Sequence, residues 1–395
     1  MPVRPKKHLH GSVQNPKAVV VGLCAHGLSI ARDLHSAGVD VIALEADRTL
    51  PGVFTRCADV KFVSDINSQG LIDALLDLAK SSCFNIKPVL FLTNDRMVEA
   101  VGNAIALIGC YYNLSWANNV SSILPLLDKR NIEARCLEKG LNYPKSVLIV
   151  NCDCFLAEMS KLKFPIILKP TRPLSRFKTL VLDSNDSLSE SMAVVESSMP
   201  VLAQEFIPGD DSSIYFCAFV LKNGDVYSRF DGRKLRSRPM GHTTVAIPEE
   251  NEAVFKISKH FFDGLGISGP VSLELKKYTN GAYWVIEPTV GRTDFWVGIC
   301  SANGVNLPFM EFQMDIGGES SLSIQNKKIL WVNEDRDLGA LFWLLFKYPF
   351  YFFRYGFKGV YVSTSEIGLT LVFVARYLER LLSRALGKLL RIIRR

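Results

Sequence analysis

Short β-branched apolar runs alternate with longer amphipathic ones through the first part of the chain. Residues 18–44 read strand, turn, helix, strand, with glycines at the turns. Short continuous apolar runs of this kind are expected of strands buried on both faces of a parallel sheet. A strand at 60–63, a helix at 68–80, a strand at 88–92 and a helix at 94–108 continue the alternation. This order predicts a doubly wound parallel βαβ domain over residues 16–120.

The pattern changes after about residue 127. A helix over 128–140 ends at Gly140, a residue suited to a helix C-cap. Strands at 146–150, 165–169, 178–182 and 201–206 are interleaved with helices at 154–162 and 186–197. Residues 212–247 are mostly strand, with Gly, Asn and Asp at the turns. A helix at 249–264 leads to strands 270–276 and 282–288 around the turn Thr279-Asn280-Gly281. Two helices near 294–303 and 306–315 follow. The expectation is an α+β second domain with antiparallel sheets over residues 121–320.

The last part reads differently again. Residues 338–357 are dense in aromatic side chains, and 369–395 form a basic amphipathic pattern. Leu378, Leu382, Ala385, Leu389 and Ile393 recur at helical spacing, against Arg376, Arg380, Arg384, Lys388 and Arg391. Gly387 weakens that helix, since an interior glycine costs about 1 kcal/mol against alanine. An apolar stripe opposed by a cationic one is characteristic of a helix lying in a membrane interface. Residues 330–395 are therefore expected to form a helical tail that meets an anionic membrane surface. A helix docked on the body or on a partner subunit is the other reading. No run of about 20 apolar residues is long enough for a membrane span.

Charge supports this division. The chain has 395 residues and a net charge of +7. Residues 1–10 carry +3 and residues 376–395 carry +6, which leaves −2 for the body. Nucleic acid is therefore not the expected partner, because the basic charge forms no patch on the body. Nine cysteines without a CxxC pair, and an N-terminus without an apolar core, fit a reduced cytoplasmic protein. A homo-oligomer remains compatible with the sequence.

Candidate chemistry starts with Gly22 and Gly27 at the first strand–helix turn and Glu45 at the end of the second strand. Their GxxxxG spacing departs from the GxGxxG of dinucleotide sites, so the signal is weak. The second domain carries more. Lys169 ends the buried strand of Phe164–Pro170, where a lysine can meet nucleotide phosphates. Gln204, Glu205, Phe206 and Ile207 lead into an acidic turn at Asp210 and Asp211. Asp231–Arg236 places Arg233, Lys234 and Arg236 near a turn. Glu274 and Glu287 lie on the two arms of a hairpin, where they can share a face and hold a hard cation. Two solvated carboxylates on an exposed sheet face is the bland alternative.

The order of these pieces resembles the ATP-grasp superfamily of carboxylate–amine ligases, over about residues 18–317. Leu127–Arg130 with the helix ending at Gly140 and then Tyr143-Pro144-Lys145 resembles the entry to the grasp. FPIILKP resembles the phosphate-binding strand, QEFIPGDDSSIY the adenine and ribose segment, and GPVSLELKKYTNGAYWVIEPTVGR the two-carboxylate metal hairpin.

The resemblance implies ATP and Mg2+ as cofactors, and a small-molecule carboxylate and amine as substrates. It assigns Lys129, Lys169 and Lys178 to ATP phosphates, Gln204, Glu205, Phe206 and Ile207 to adenine, and Asp211 to ribose. It assigns Glu274, Glu287 and Thr289 to Mg2+, Arg292 to the transferring phosphoryl group, and Lys234 and Arg236 to the carboxylate substrate or phosphate. Two departures stand out. Thr289 replaces the usual Asn, and amide carbonyls bind Mg2+ better than hydroxyls do. The segment 171–178 has none of the glycines usual there, and offers Arg172, Arg176 and Lys178 instead. A nucleotide-binding scaffold without turnover is the alternative these departures raise.

Overall fold

Four strands form the first sheet: β1 (Ala18–Val21), β2 (Val41–Glu45), β3 (Asp59–Phe62) and β4 (Val89–Phe91). They run parallel in the order β3-β2-β1-β4. The computed structural model describes residues 16–171, 177, 179–238, 241–318 and 323–393. β1, β2 and β4 are buried throughout, as their near-continuous apolar sequences require. The order reverses between β1 and β4, and their ends turn into the helices Ala25–Ser36 and Asp95–Asn103. Gly22 at the first of these turns has φ of +86°, and a Cβ there would lie 2.6 Å from Thr93 Oγ1. Asn94 caps the second helix by accepting from Met97 N–H.

The second sheet is antiparallel: β5 (Ser146–Ile149), β6 (Ile166–Pro170), β7 (Leu180–Leu182) and β8 (Val201–Glu205), in the order β5-β8-β6-β7. The third contains β9 (Ile214–Lys222), β10 (Asp225–Ser237), β11 (Thr243–Pro248), β12 (Gly269–Lys277), β13 (Tyr283–Val290), β14 (Ile329–Val332) and β15 (Gly356–Gly359). Its order is β13-β12-β9-β10-β11-β14-β15, antiparallel except for the β14–β15 pair. A parallel βαβ sheet followed by two antiparallel sheets and a C-terminal helix is the predicted fold class.

The differences are local. The helix expected over 94–108 divides into Asp95–Asn103 and Ile105–Ile108, and that expected near 294–303 shortens to Gly298–Ala302. β14 and β15 were not anticipated. Each is four residues long and lies among aromatic residues, too short to display a period.

The cores follow this architecture. Val98, Trp116 and Ile123 pack with Val271, Leu273 and Val290, joining the first and third sheets. A second shared core joins Val20, Leu28 and Leu34 to Phe216, Trp296 and Met310. The second sheet has its own core, with Ile149, Phe155, Ile166, Leu168 and Val195.

One buried acid makes stability depend on pH. Asp33 accepts from Ser301 Oγ at 2.7 Å, while its other oxygen lacks a partner. Burial raises its pKa from 3.8 to about 7. The folded state therefore binds more protons between these two values, and stability falls as pH rises through that window. Asp315, which burial also raises to about 7, adds a slope of the same sign, so Asp33→Asn is expected to reduce the slope rather than remove it and to stabilise the protein at pH 8 by a few kcal/mol, on the order of 4 at most. Urea denaturation at pH 5 and pH 8 reads both effects.

Candidate active site

A cavity of about 330 Å3 lies between the second and third sheets. Its lining includes Lys129, Lys169, Gln204, Glu205, Phe206, Ile207, Asp211, Lys234, Glu274 and Glu287. These residues span a long stretch of sequence, and the two sheets bring them together.

The second sheet supplies one wall. Lys169 is the buried penultimate residue of β6, and its Nζ donates to Gln204 Oε1 at 2.8 Å. Gln204 in turn donates to Ser146 Oγ at 2.9 Å, so one hydrogen-bonded row crosses β6, β8 and β5. Glu205 accepts from Lys163 N–H at 3.1 Å, and Phe206 N–H donates to Pro165 O at 2.9 Å. The segment after β8 is therefore held by its backbone. Asp210 caps the next turn through Ser212 N–H, and Asp211 accepts from Ser237 N–H of β10 at 2.7 Å.

The third sheet supplies the other wall. Glu274 on β12 pairs directly with Glu287 on β13, with a register shift immediately after it. Leu275 then pairs with Val285, leaving Ile286 as the extra residue. Such a bulge breaks strict alternation, and Ile286 and Glu287 accordingly both line the cavity. Each carboxylate faces an ammonium: Lys234 Nζ is 3.4 Å from Glu274, and Lys129 Nζ is 3.5 Å from Glu287.

Thr289 lies opposite Ser272. Ser272 Oγ donates to the buried carboxylate of Asp294 at 2.5 Å, and the Thr289 hydroxyl helps to hold that carboxylate ionised. Burial raises the Asp294 pKa, against the opposing pull of Arg292. Two facing carboxylates on the cavity wall, already attracting cations, form a hard-oxygen pair that fits Mg2+, whereas Thr289 is not among the residues that line the cavity. Among the described residues, no group of three or more His, Cys, Asp or Glu gathers as a metal cluster.

Arg292 follows a glycine turn. Gly291 has φ of +68°, and a Cβ there would lie 2.8 Å from Val98 Cγ1. Arg292 is thereby turned toward the first sheet, where Nε donates to Asp95 Oδ1 at 2.7 Å and Nη1 to Thr293 O at 3.0 Å. Buried His26 supports the same loop. Its ring reaches Thr93 O at 3.1 Å and Thr293 Oγ1 at 2.8 Å. Burial, helped by Arg292, lowers its pKa to about 3, so it is neutral.

Arg236 is placed elsewhere. A register shift between Lys234 and Arg236 breaks the alternation that would put both on the cavity side. Arg236 instead pairs with Asp337 at 2.5 Å and lies 4.8 Å from the Trp343 ring. Glu45 is also committed, accepting backbone N–H donors from Leu23, Ala46 and Asp47. Lys178, Arg172 and Arg176 lie outside the described residues.

Three residues of the region were not singled out from the sequence. Lys276 lines the cavity, with its ammonium 4.2 Å from the Phe206 ring centre. Burial lowers its pKa to about 8, despite Asp211 and Asp210 nearby. Its position two residues after Glu274 was an available signal. Asp95 and Asp294 carried none, because their importance depends on partners from other segments.

Solved structures share this architecture. N5-carboxyaminoimidazole synthetase from Staphylococcus aureus complexed with ADP aligns with a TM-score of 0.65 and 12% identity, over 85% of this chain and 86% of that one. L-amino acid ligase from Bacillus licheniformis aligns with a TM-score of 0.57 and 17% identity, over 77% and 74%. Phosphoribosylglycinamide synthetase from Anaerococcus prevotii aligns with a TM-score of 0.55 and 16% identity, over 80% of each chain. The chain has the ATP-grasp fold. No protein-family model matches the sequence, and no curated protein matches it. In this fold the cavity lies between the second and third sheets.

Proposed function

We propose that the chain is an ATP-dependent ligase that activates a carboxylate as an acyl phosphate for attack by an amine. The observation that carries this reading is the meeting of Lys129 and Lys169 with the facing pair Glu274 and Glu287 in one cavity. In an ATP-grasp fold, that combination suits a nucleotide triphosphate: cations for the phosphates and oxygens for their counter-ion. Its division into residues 16–120, 121–320 and 330–395 is part of the proposal.

In this reading Lys129 and Lys169 hold the phosphates, while Gln204, Glu205, Phe206 and Ile207 line the adenine and Asp211 takes the ribose. Glu274 and Glu287 hold Mg2+, and Thr289 is left out because it does not line the cavity. The ion, when bound, neutralises phosphate charge. A substrate carboxylate oxygen forms a bond to the γ-phosphorus as the bond to the ADP oxygen breaks. The amine then attacks the acyl carbon, phosphate leaves, and the amine gives up a proton. The chain's own work is to position groups and to set cations where charge develops. Arg292 and Lys234 supply such cations. Arg236 is not included, because its guanidinium is engaged with Asp337.

Residues 330–395 are proposed to hold this body at the cytoplasmic face of a membrane. Among the described residues, no helix is long and apolar enough to cross one.

Purified protein with ATP and Mg2+ should be screened for ADP release across amino acids, dipeptides and amines. Release that requires both a carboxylate and an amine is the expected result. ATP binding without turnover on every pair would instead favour the scaffold alternative.

A further inference from the structure

The aromatic segment at 338–357 folds into two short helices, Ala340–Lys347 and Pro349–Arg354, each with two distinct faces. The inward face carries Ala340, Leu344, Tyr348 and Tyr351, packed against Leu235, Val245 and Leu330 of the third sheet. The outward face carries Phe342, Phe346, Phe350 and Phe353, which are 71%, 81%, 63% and 74% exposed. Phe342 and Phe346 are four residues apart on the first helix, and Phe350 and Phe353 three apart on the second, so each pair shares a face of its own helix. Four phenylalanines exposed together form an apolar surface that a monomer in water does not normally present.

The charge around this surface selects its partner. From 338 to 365 the sequence has Lys347, Arg354 and Lys358 and no acidic residue. The following helix, Ile367–Ile393, repeats the arrangement. It docks through buried Leu369 and Phe373 but leaves Ile367, Leu371, Leu378 and Leu382 exposed. A second copy of the chain meeting the phenylalanines across a two-fold axis would bring like charges together. An anionic lipid surface accepts both features, aromatic rings at headgroup depth and cations at the phosphates.

We infer that Phe342, Phe346, Phe350 and Phe353 insert into the interface of an anionic bilayer, making a membrane contact separate from the C-terminal helix. This rests on the peripheral placement proposed above and gives it a specific surface. The surface is tied to the candidate active site. Tyr351, between Phe350 and Phe353, accepts from Arg233 on β10 at 3.0 Å, and Arg233 also reaches Ser212 O at 3.4 Å beside Asp211. The inserted helices and the proposed ribose turn are thus held by one guanidinium.

The test uses full-length protein and flotation with phosphatidylcholine vesicles, with and without phosphatidylserine. Wild type should float with the phosphatidylserine vesicles, and Phe346→Ser combined with Phe353→Ser should lower its partition coefficient at least tenfold. Both positions are exposed, so ATP affinity should stay within twofold and report intact folding. An environment-sensitive dye on Phe346→Cys, in a chain whose accessible cysteines Cys24, Cys57, Cys83, Cys110, Cys152 and Cys154 are changed to serine, should shift to the blue with anionic vesicles. A double variant that floats like wild type, or a dye that stays in water, overturns the insertion surface. A third variant, with Arg384, Lys388 and Arg391 changed to glutamate, tests the helix separately. If only this variant leaves the vesicles, peripheral placement stands and the phenylalanine surface falls. Wild type that dimerises in sedimentation and never floats overturns both, while the ligase reading is judged by ADP release alone.

Discussion

Glu287→Ala is expected to abolish ATP consumption, with a loss on the order of 10²- to 10³-fold or more in ADP release. The carboxylate is half of the facing pair with Glu274 and lies 3.5 Å from Lys129. Its removal takes away one proposed oxygen ligand and the ion-pair partner of Lys129, the proposed phosphate-binding lysine. Glu274 would then be the one carboxylate left of the proposed ligand set. The side chain is 36% exposed, so the substitution leaves no buried cavity. Loss of activity with an unchanged urea midpoint would locate the effect in chemistry or metal binding. Titration with Mn2+, read by its own magnetic resonance signal, should show weakened binding in the same variant. Equal ATP hydrolysis by wild type and variant, with every carboxylate tried, would mean that the assigned site is wrong.

Arg292→Lys is expected to lower kcat on the order of 10²-fold while changing ATP affinity only a few-fold. The charge is retained, so Asp95 and Asp294 are not left without a cation. The geometry is lost, because a lysine cannot keep Nε on Asp95 and Nη1 on Thr293 O while presenting a remaining N–H to substrate. Initial rates across ATP concentrations separate the two parameters. A kcat within threefold of wild type would remove Arg292 from the reaction and leave it a tie between the first sheet and the loop after β13. Asp95→Asn should show the same split to a smaller degree if Asp95 positions the guanidinium.

How much of this could be read from sequence depends on the range of the signal. β1, β2 and β4 were legible because burial on both faces leaves continuous β-branched runs. The hairpin carrying Glu274 and Glu287 was legible from its turn, but that turn alone would set Glu274 opposite Ile286, and the bulge at Ile286 is what brings Glu287 across from it. Lys234 and Arg236 looked equivalent because they are two residues apart on one strand, and a register shift separates them. Sequence patterns do not report bulges reliably, since the inserted residue need not be unusual. Asp95 and Arg292 are far apart in sequence, and Asp294 gains its place from Ser272 and Thr289. Such partners become visible only once the sheets are assembled. The aromatic segment was read correctly as unusual, but its inward half was not distinguished from its outward half. That distinction needed β14 and the core around Leu330 and Leu344.

The private core of the second sheet has a mechanical consequence. Ile149, Phe155, Ile166, Leu168 and Val195 bury one another, whereas the first and third sheets share theirs. A lobe that keeps its own apolar interior can swing as a rigid jaw without exposing greasy surface on the remainder. Polar groups resist such swinging less, since water can replace each partner as the jaw opens. The architecture suits a clamshell cycle in which nucleotide enters an open cleft. Closure would then shield the proposed acyl phosphate from hydrolysis until the amine arrives.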